Sequence, residues 1–202
     1  MNTKEKIIRT FLEAASNEGL DKVSLQKTAD KVAIQKASIY SHFKSREDLI
    51  NQMFDYGQSL IKKESSETKL TKKDPAYELK SLTFWFFNLL QEDEIEQYYK
   101  VLEANKFYRS KARANLKQLL SLFTSRCEVF IDFFVQTGQL KVENSEFAAN
   151  LFSSALLNLI EELFVRKENG EKVDEFYWEL EEYVDKFVAL FTSSPRKEFQ
   201  LT

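Results

Sequence analysis

The chain has 202 residues, of which 43% are hydrophobic, with Phe 18, Gly 4, Pro 2, one cysteine and a net charge of −3. So few helix breakers beside abundant Glu, Lys, Leu and Phe indicate an all-α protein with an aromatic interior. The single Cys127 excludes an intramolecular disulfide framework, and one Cys with one His cannot supply the usual zinc ligand set. No metal, cofactor or catalytic centre is expected. A polar, charged start and the lack of an apolar run near the ~20 residues of a membrane span predict a cytoplasmic protein with no membrane partner.

In chain order, residues 3–18 form the first helix, capped by Thr3 and closed by Gly19, with Ile7, Ile8, Phe11, Leu12 and Ala15 at helical spacing. Thr3, Lys4 and Lys6 lie where they could touch a phosphate. A short helix over 24–31 follows, capped by Ser24, with Leu25, Ala29 and Val32 on its inner side. A second, over 35–41, is held to the body by Ile39 and Phe43. Its outward residues have the chemistry of a major-groove reader. Lys36 donates to guanine O6 or N7, Ala37 meets a thymine methyl, Ser38 serves a base or a phosphate, and Tyr40 reaches a phosphate, with Gln35 at the helix start. His42 packs or touches a phosphate beside Tyr40. Lys44 and Arg46 open the next helix, whose N-terminal N–H groups also attract phosphate. Residues 1–50 hold nine basic and seven acidic residues, a net +2, while the remainder carries −5. The field therefore favours approach of a polyanion by this end.

Ser45 caps a helix over 46–64 with Leu49, Met53, Tyr56 and Leu60 in one stripe, widened by Ile50, Phe54 and Ile61. A polar loop over 65–74 ends at Asp74, a cap for a helix starting at Pro75. Body helices follow at 75–91, 94–107, 110–137, 144–167 and 173–192. Thr83 to Leu90, TFWFFNLL, is apolar on nearly all sides and is expected to be deeply buried. Tyr98, Tyr99, Leu102 and Phe107 continue an aromatic interior. Asn144 or Ser145 caps the helix of 144–167. On that helix Phe147, Leu151, Ala155, Asn158 and Glu162 follow one line, and Phe152, Leu156, Leu159, Ile160, Leu163 and Phe164 another. The last helix aligns Phe176, Leu180, Tyr183, Val184, Phe187, Leu190 and Phe191. One apolar face packs on the body; a second wants a partner. The tail from Ser193 is polar.

The run Ile39-Tyr40-Ser41-His42-Phe43-Lys44-Ser45-Arg46-Glu47-Asp48-Leu49 resembles the signature of TetR-type transcriptional regulators. Ala14-Ala15, Gly19, Val23-Ser24-Leu25 and Ala29 fit upstream, so the resemblance covers residues 5–50. Thr28 replaces a usual aliphatic residue, Ala33 stands where the turn usually has Gly, and Arg46 replaces Lys. The resemblance implies a helix-turn-helix DNA-binding domain over 1–48 and a helical effector-binding and dimerisation domain over 49–202, about nine helices in all. It places Gln26 and Lys27 near the groove edge, and Lys36, Ala37, Ser38 and Tyr40 at the recognition positions on double-stranded DNA. It also implies an apolar effector cavity in the body. Phe84, Trp85, Phe87, Tyr98 and Leu102 are candidate liners, as are Phe123, Cys127, Phe130 and Phe134, and Glu103 is a polar anchor for a cationic compound. Cys127, mid-helix among apolar residues, does not suit a reactive thiolate. The helices at 144–167 and 173–192, with their copies, would make a four-helix homodimer interface.

The expected function is a dimeric repressor that binds a palindromic operator and is released by a small, largely apolar effector. Two other readings stay open: a helical homodimeric interaction protein that never touches DNA, and a regulator of the same type acting as an activator without a small ligand. No Gly-rich phosphate loop, metal-ligand cluster or nucleophile–base pair points to an enzyme.

Overall fold

Capping residues set most of the helix boundaries. A computed structural model describes residues 2–64, 70–71, 74–172 and 176–192. Among them lie nine helices and no strand: α1 (Thr3–Glu18), α2 (Leu25–Val32), α3 (Lys36–His42), α4 (Arg46–Glu64), α5 (Pro75–Leu90), α6 (Asp93–Asn105), α7 (Ser110–Gln136), α8 (Ser145–Glu168) and α9 (Phe176–Phe191). Most of the loop expected over 65–74, the first residues of the helix expected at 173 and the tail from Ser193 lie outside the described residues.

The cap of α1 is Asn2, whose side chain accepts the Glu5 N–H at 2.8 Å, and Thr3 is the first helical residue. The expected Thr3 cap is therefore one residue late, because the Asn2 carbonyl already meets the orphan donor of the first turn. Ser24 caps α2, and its carbonyl takes both the N–H and the hydroxyl of Thr28, at 3.0 and 3.1 Å. That bond lets Thr28 be buried where an aliphatic residue is usual, while Val32, expected inside, is only half-buried. Asp74 accepts the Tyr77 N–H at 2.9 Å ahead of Pro75, and Asn144 accepts the Phe147 N–H at 2.8 Å.

Packing divides the chain into two compact units. The first comprises Met1–Glu67 and Asn88–Leu120, the second Thr68–Phe87 and Ser121–Thr202. These units follow contacts, whereas a boundary after Asp48 follows the motif.

In the first unit α1 packs on α2, α4 and α6, and α2 on α3. Ile7, Phe11, Leu12, Ile39, Phe43, Leu49, Met53 and Leu102 form its core. α4 and α6 approach closely at Gly57, where the Tyr98 ring fills the space beside the glycine. The Tyr98 hydroxyl donates to the Phe54 carbonyl at 3.0 Å and accepts from Asn115 at 2.8 Å. The Glu94 carboxylate on α6 accepts from Arg9 Nε on α1 and from the Tyr56 hydroxyl on α4. Phe107, expected inside, is 79% exposed, because α6 ends at Asn105 and leaves it on the turn with Lys106 over its ring.

In the second unit a chain of rings fills the interior. Phe86 stacks on Phe123 at 4.5 Å, Phe123 neighbours Phe152, and Phe152 meets Phe187 at 4.7 Å. The expectation for Thr83–Leu90 holds for Thr83, Phe86 and Phe87 of this unit and for Leu89 and Leu90, which belong to the first, but Phe84 and Trp85 are half-buried and Asn88 is exposed. One face of α5 thus reaches solvent. Of the line read from the sequence, α8 buries Phe152, Leu156, Ile160, Leu163 and Phe164, while Leu159 is half-buried. The helix is long and apolar enough by composition to cross a membrane, with a mean hydropathy of 1.3 in its richest window, but its inner line is core. Arg166 ties it to α9 through Glu179 at 2.9 Å. On α9, Leu190 was expected in the buried stripe and is 75% exposed; Val188 is buried instead.

Candidate nucleic-acid interface

The turn between α2 and α3 is made by Ala33, which adopts φ 59°, ψ 45°, a left-handed conformation. Its N–H reaches Asp30 O at 3.1 Å and the Ile34 N–H reaches Ala29 O at 3.0 Å, closing α2. Glycine takes this conformation without strain, so the turn is formed despite a side chain that opposes it.

α3 is then held from below. Ile39 and Phe43 are buried, and Lys36, Ala37 and Tyr40 are exposed, with Gln35 at the N-cap. Ser38 is half-buried; its carbonyl accepts from the Ser41 hydroxyl at 2.7 Å. His42 is half-buried beside the Phe43 ring. On α2, Gln26 bonds Asp30 at 2.8 Å and the Lys27 ammonium lies 3.7 Å from Glu18, both at the surface. The result is one exposed helix start carrying an amide, an ammonium, a methyl and a phenol. These are the group types that meet base edges and phosphates.

Ser45 caps α4 by accepting the Asp48 N–H at 3.1 Å, and Asp48 answers by accepting the Lys44 N–H at 2.8 Å. The pair is a capping box shifted by one residue, and it fixes the Lys44 backbone beside the helix start. The hydrogen bond from Gln52, and next the one from the Lys44 N–H, hold the Asp48 carboxyl below its ordinary pKa. Lys4, from the start of α1, lies over the Phe43 ring at 5.6 Å. Lys4 and Lys44 therefore share the corner between α3 and α4.

Arg46 is placed differently from the lysine-like group read in the sequence. Its guanidinium donates to the carbonyls of Val23 and Leu20 at 2.7 and 2.8 Å and lies over the Phe11 ring. It clamps the α1–α2 turn. Arg109, at the start of α7, adds a second brace to Glu47 at 2.7 Å and Asp21 at 3.4 Å. Lys4 was legible as a residue that could touch a phosphate, but not as a neighbour of Phe43 and Lys44. Asp48 was legible through the Ser45-x-x-Asp48 spacing. Arg109 carried no local signal.

The candidate effector liners do not fall together. Tyr98, Leu102 and Glu103 lie in the first unit, where the Tyr98 hydroxyl is engaged and Glu103 pairs with Lys106. Phe84, Trp85, Phe87, Phe123, Cys127, Phe130 and Phe134 lie in the second. There Trp85 takes Arg126 on its face at 4.1 Å, and Phe87 meets Phe176 and Tyr177. Burial pushes the Cys127 thiol well above its ordinary pKa. In the first unit a cleft of about 450 Å³ is lined by Lys6, Arg9 and Lys31 opposite Glu13, Asp93 and Glu94. Those charges largely compensate one another. No group of metal-ligating side chains occurs among the described residues.

Residues 7–53 match the family of bacterial regulatory proteins described as the tetR family. The chain is 26% identical over 175 residues to YerO of Bacillus subtilis, named an uncharacterized HTH-type transcriptional regulator, covering 72% of this chain. The chain spans 61% of that relative's length. A transcriptional regulator of the TetR family from Agrobacterium tumefaciens has the same fold, with a TM-score of 0.68 at 11% identity over 95% of this chain and 98% of that one. SmeT in its triclosan complex matches with a TM-score of 0.63 at 13% identity, over 96% and 93% of the two chains.

Proposed function

We propose that the chain, whose residues 7–53 match the tetR family of bacterial regulatory proteins, is a cytoplasmic repressor of transcription acting as a homodimer and not an enzyme. The observation that carries this reading is the exposed start of α3. Gln35, Lys36, Ala37 and Tyr40 stand clear of the body while Ile39 and Phe43 lock the helix from behind. Each protomer lays α3 in a major groove, with Gln26 and Lys27 at its edge. Ser38 and His42 flank the contact, and Lys4 and Lys44 take phosphates at the corner of α4.

A single short helix reads few base pairs, so a second copy is needed. The outer line of α8 supplies a self-complementary surface. Phe147 is 69% exposed, and Leu151 and Val165 are exposed with it; Trp178 and Leu190 extend apolar surface on α9. A two-fold pair of such faces makes a four-helix interface, and the operator is then a rough palindrome with half-sites about 34–36 Å apart or a multiple of that.

The aromatic second unit is the effector-binding part. SmeT, a neighbour in fold, is a triclosan complex. An effector that favours one head spacing while DNA favours another releases the operator, by no more than its differential affinity for the two states.

The experiment is selection of bound duplexes from a random pool, followed by gel retardation at several salt concentrations. Lys36→Ala with Tyr40→Phe abolishes specific retardation on this reading; retention of specificity, or no retardation of any duplex, refutes it. Spin labels at the exposed Ser41 of both protomers report head spacing, and equal spacing with and without DNA sinks the release mechanism.

A further inference from the structure

Among the described residues one buried side-chain polar atom has no hydrogen-bond partner, the Thr83 hydroxyl. Thr83 is fully buried in α5, one turn ahead of Phe86 and Phe87. Phe86 stacks on Phe123 of α7 and Phe87 meets Phe176 of α9, so this side of α5 points into the ring-filled interior of the second unit. An unsatisfied hydroxyl there costs stability that a valine would not.

The other buried polar side chains of that unit are spent. Glu78 accepts from the Thr71 hydroxyl. Ser153 accepts from Thr124 at 2.9 Å and donates to the Asn150 carbonyl at 3.3 Å. Among the described cations of the unit, Lys80 pairs with Asp185 and Arg166 with Glu162 and Glu179, and the half-buried Arg126 lies on the Trp85 face. A ligand entering this interior thus finds apolar rings, one free hydroxyl and no fully buried cation among the described residues, while the one buried carboxylate, Glu78, is engaged with Thr71.

Building on the assignment of the second unit as effector-binding, we infer that Thr83 is the polar anchor of the site and that its ligand is neutral, an aromatic or branched apolar body with one hydrogen-bonding group such as a phenol, alcohol or ketone. The rings pack closely, so the ligand enters as they rotate. The Thr83 hydroxyl donates to its oxygen or accepts its proton. A carboxylate is rejected because no fully buried cation among the described residues compensates its charge, and a quaternary ammonium because it offers the Thr83 hydroxyl no hydrogen bond and Glu78 is engaged with Thr71.

The test uses the full-length protein and four probes of one shape: 4-tert-butylphenol, tert-butylbenzene, 4-tert-butylbenzoate and 4-tert-butylphenyltrimethylammonium. Calorimetric titration of the wild type is expected to show the phenol binding about tenfold or more tightly than the hydrocarbon, with the charged probes no better than the hydrocarbon. Thr83→Val collapses the phenol's advantage towards unity and raises the melting temperature of the free protein; Thr83→Ser retains the advantage. An advantage that survives in Thr83→Val, tighter binding of either charged probe, absence of phenol binding at millimolar concentration, or a melting temperature not raised by valine would overturn the assignment. Thr83-dependent phenol binding that leaves DNA retardation unchanged supports this site and refutes effector release instead.

Discussion

The Tyr98 ring occupies the space that a side chain on Gly57 would need, so α4 and α6 touch through a missing methyl group. Helix propensity favours alanine over glycine by about 1 kcal/mol. The ring cannot yield, because its hydroxyl is held by the Phe54 carbonyl and Asn115. Overpacking therefore prevails, and Gly57→Ala is expected to lose roughly 1–3 kcal/mol in urea unfolding. A gain in stability would show that α4 and α6 separate freely.

Ala33 predicts the opposite sign. Its left-handed backbone makes Ala33→Gly stabilising by about 0.5–1 kcal/mol, although glycine costs more chain entropy elsewhere. Chemical denaturation measures the gain, and DNA affinity should stay within a factor of two because Ala33 precedes the reading helix.

Arg46 is braced on backbone carbonyls, whereas Lys44 is the proposed phosphate ligand. Arg46→Lys keeps the charge but loses the fork on the Val23 and Leu20 carbonyls, at an expected cost of about 1–2 kcal/mol in stability. The salt dependence of DNA binding should be unchanged in this variant, whereas Lys44→Ala should reduce the slope by about one phosphate contact. Equal slopes in the two variants would contradict the assignment.

Asp48 gives an acid-side signature. Its folded pKa lies below that of an ordinary aspartate, so its contribution is fully present above the unfolded value and is lost as pH falls through the folded pKa. Asp48→Asn is expected to flatten the acid limb of the stability profile at that step, read from melting temperatures between about pH 2 and 5. An unchanged limb would mean that the hydrogen bonds to the Asp48 carboxylate do not form in solution.

Cys127 should be inert. Burial raises its thiol pKa, so iodoacetamide at neutral pH should leave the native protein unmodified and label it only after unfolding.

The helices were legible because their signals are local. Gly19, Ser24, Ser45, Asp74-Pro75 and Asn144 mark ends within one turn, and the apolar stripes of α1, α4 and α8 repeat at helical spacing. The exposed face of α3 was legible for the same reason, since Ile39 and Phe43 assign the opposite residues outward. Arg46 was not, because a basic residue at a helix start reads as a phosphate ligand until the carbonyls of Leu20 and Val23, more than twenty residues away, are seen beneath it. Phe107 and Leu190 failed alike. Periodicity says which side of a helix is apolar, but not where the helix stops or how much of that side the partner elements cover. The effector liners were chosen for being aromatic, and aromatic residues fill both units; only the three-dimensional fold separates Tyr98 and Leu102 from Phe123 and Phe130.

One carboxylate, that of Glu94, receives both Arg9 from the first helix and Tyr56 from the fourth. Anyone grafting residues 1–48 onto another regulator's body to redirect its operator choice would cut through this three-way joint. A transplanted Arg9 would have to find an equivalent acid on its new host. A chimera that carries its own sixth helix along, or restores a glutamate there, should keep the melting temperature that a plain head exchange would lower.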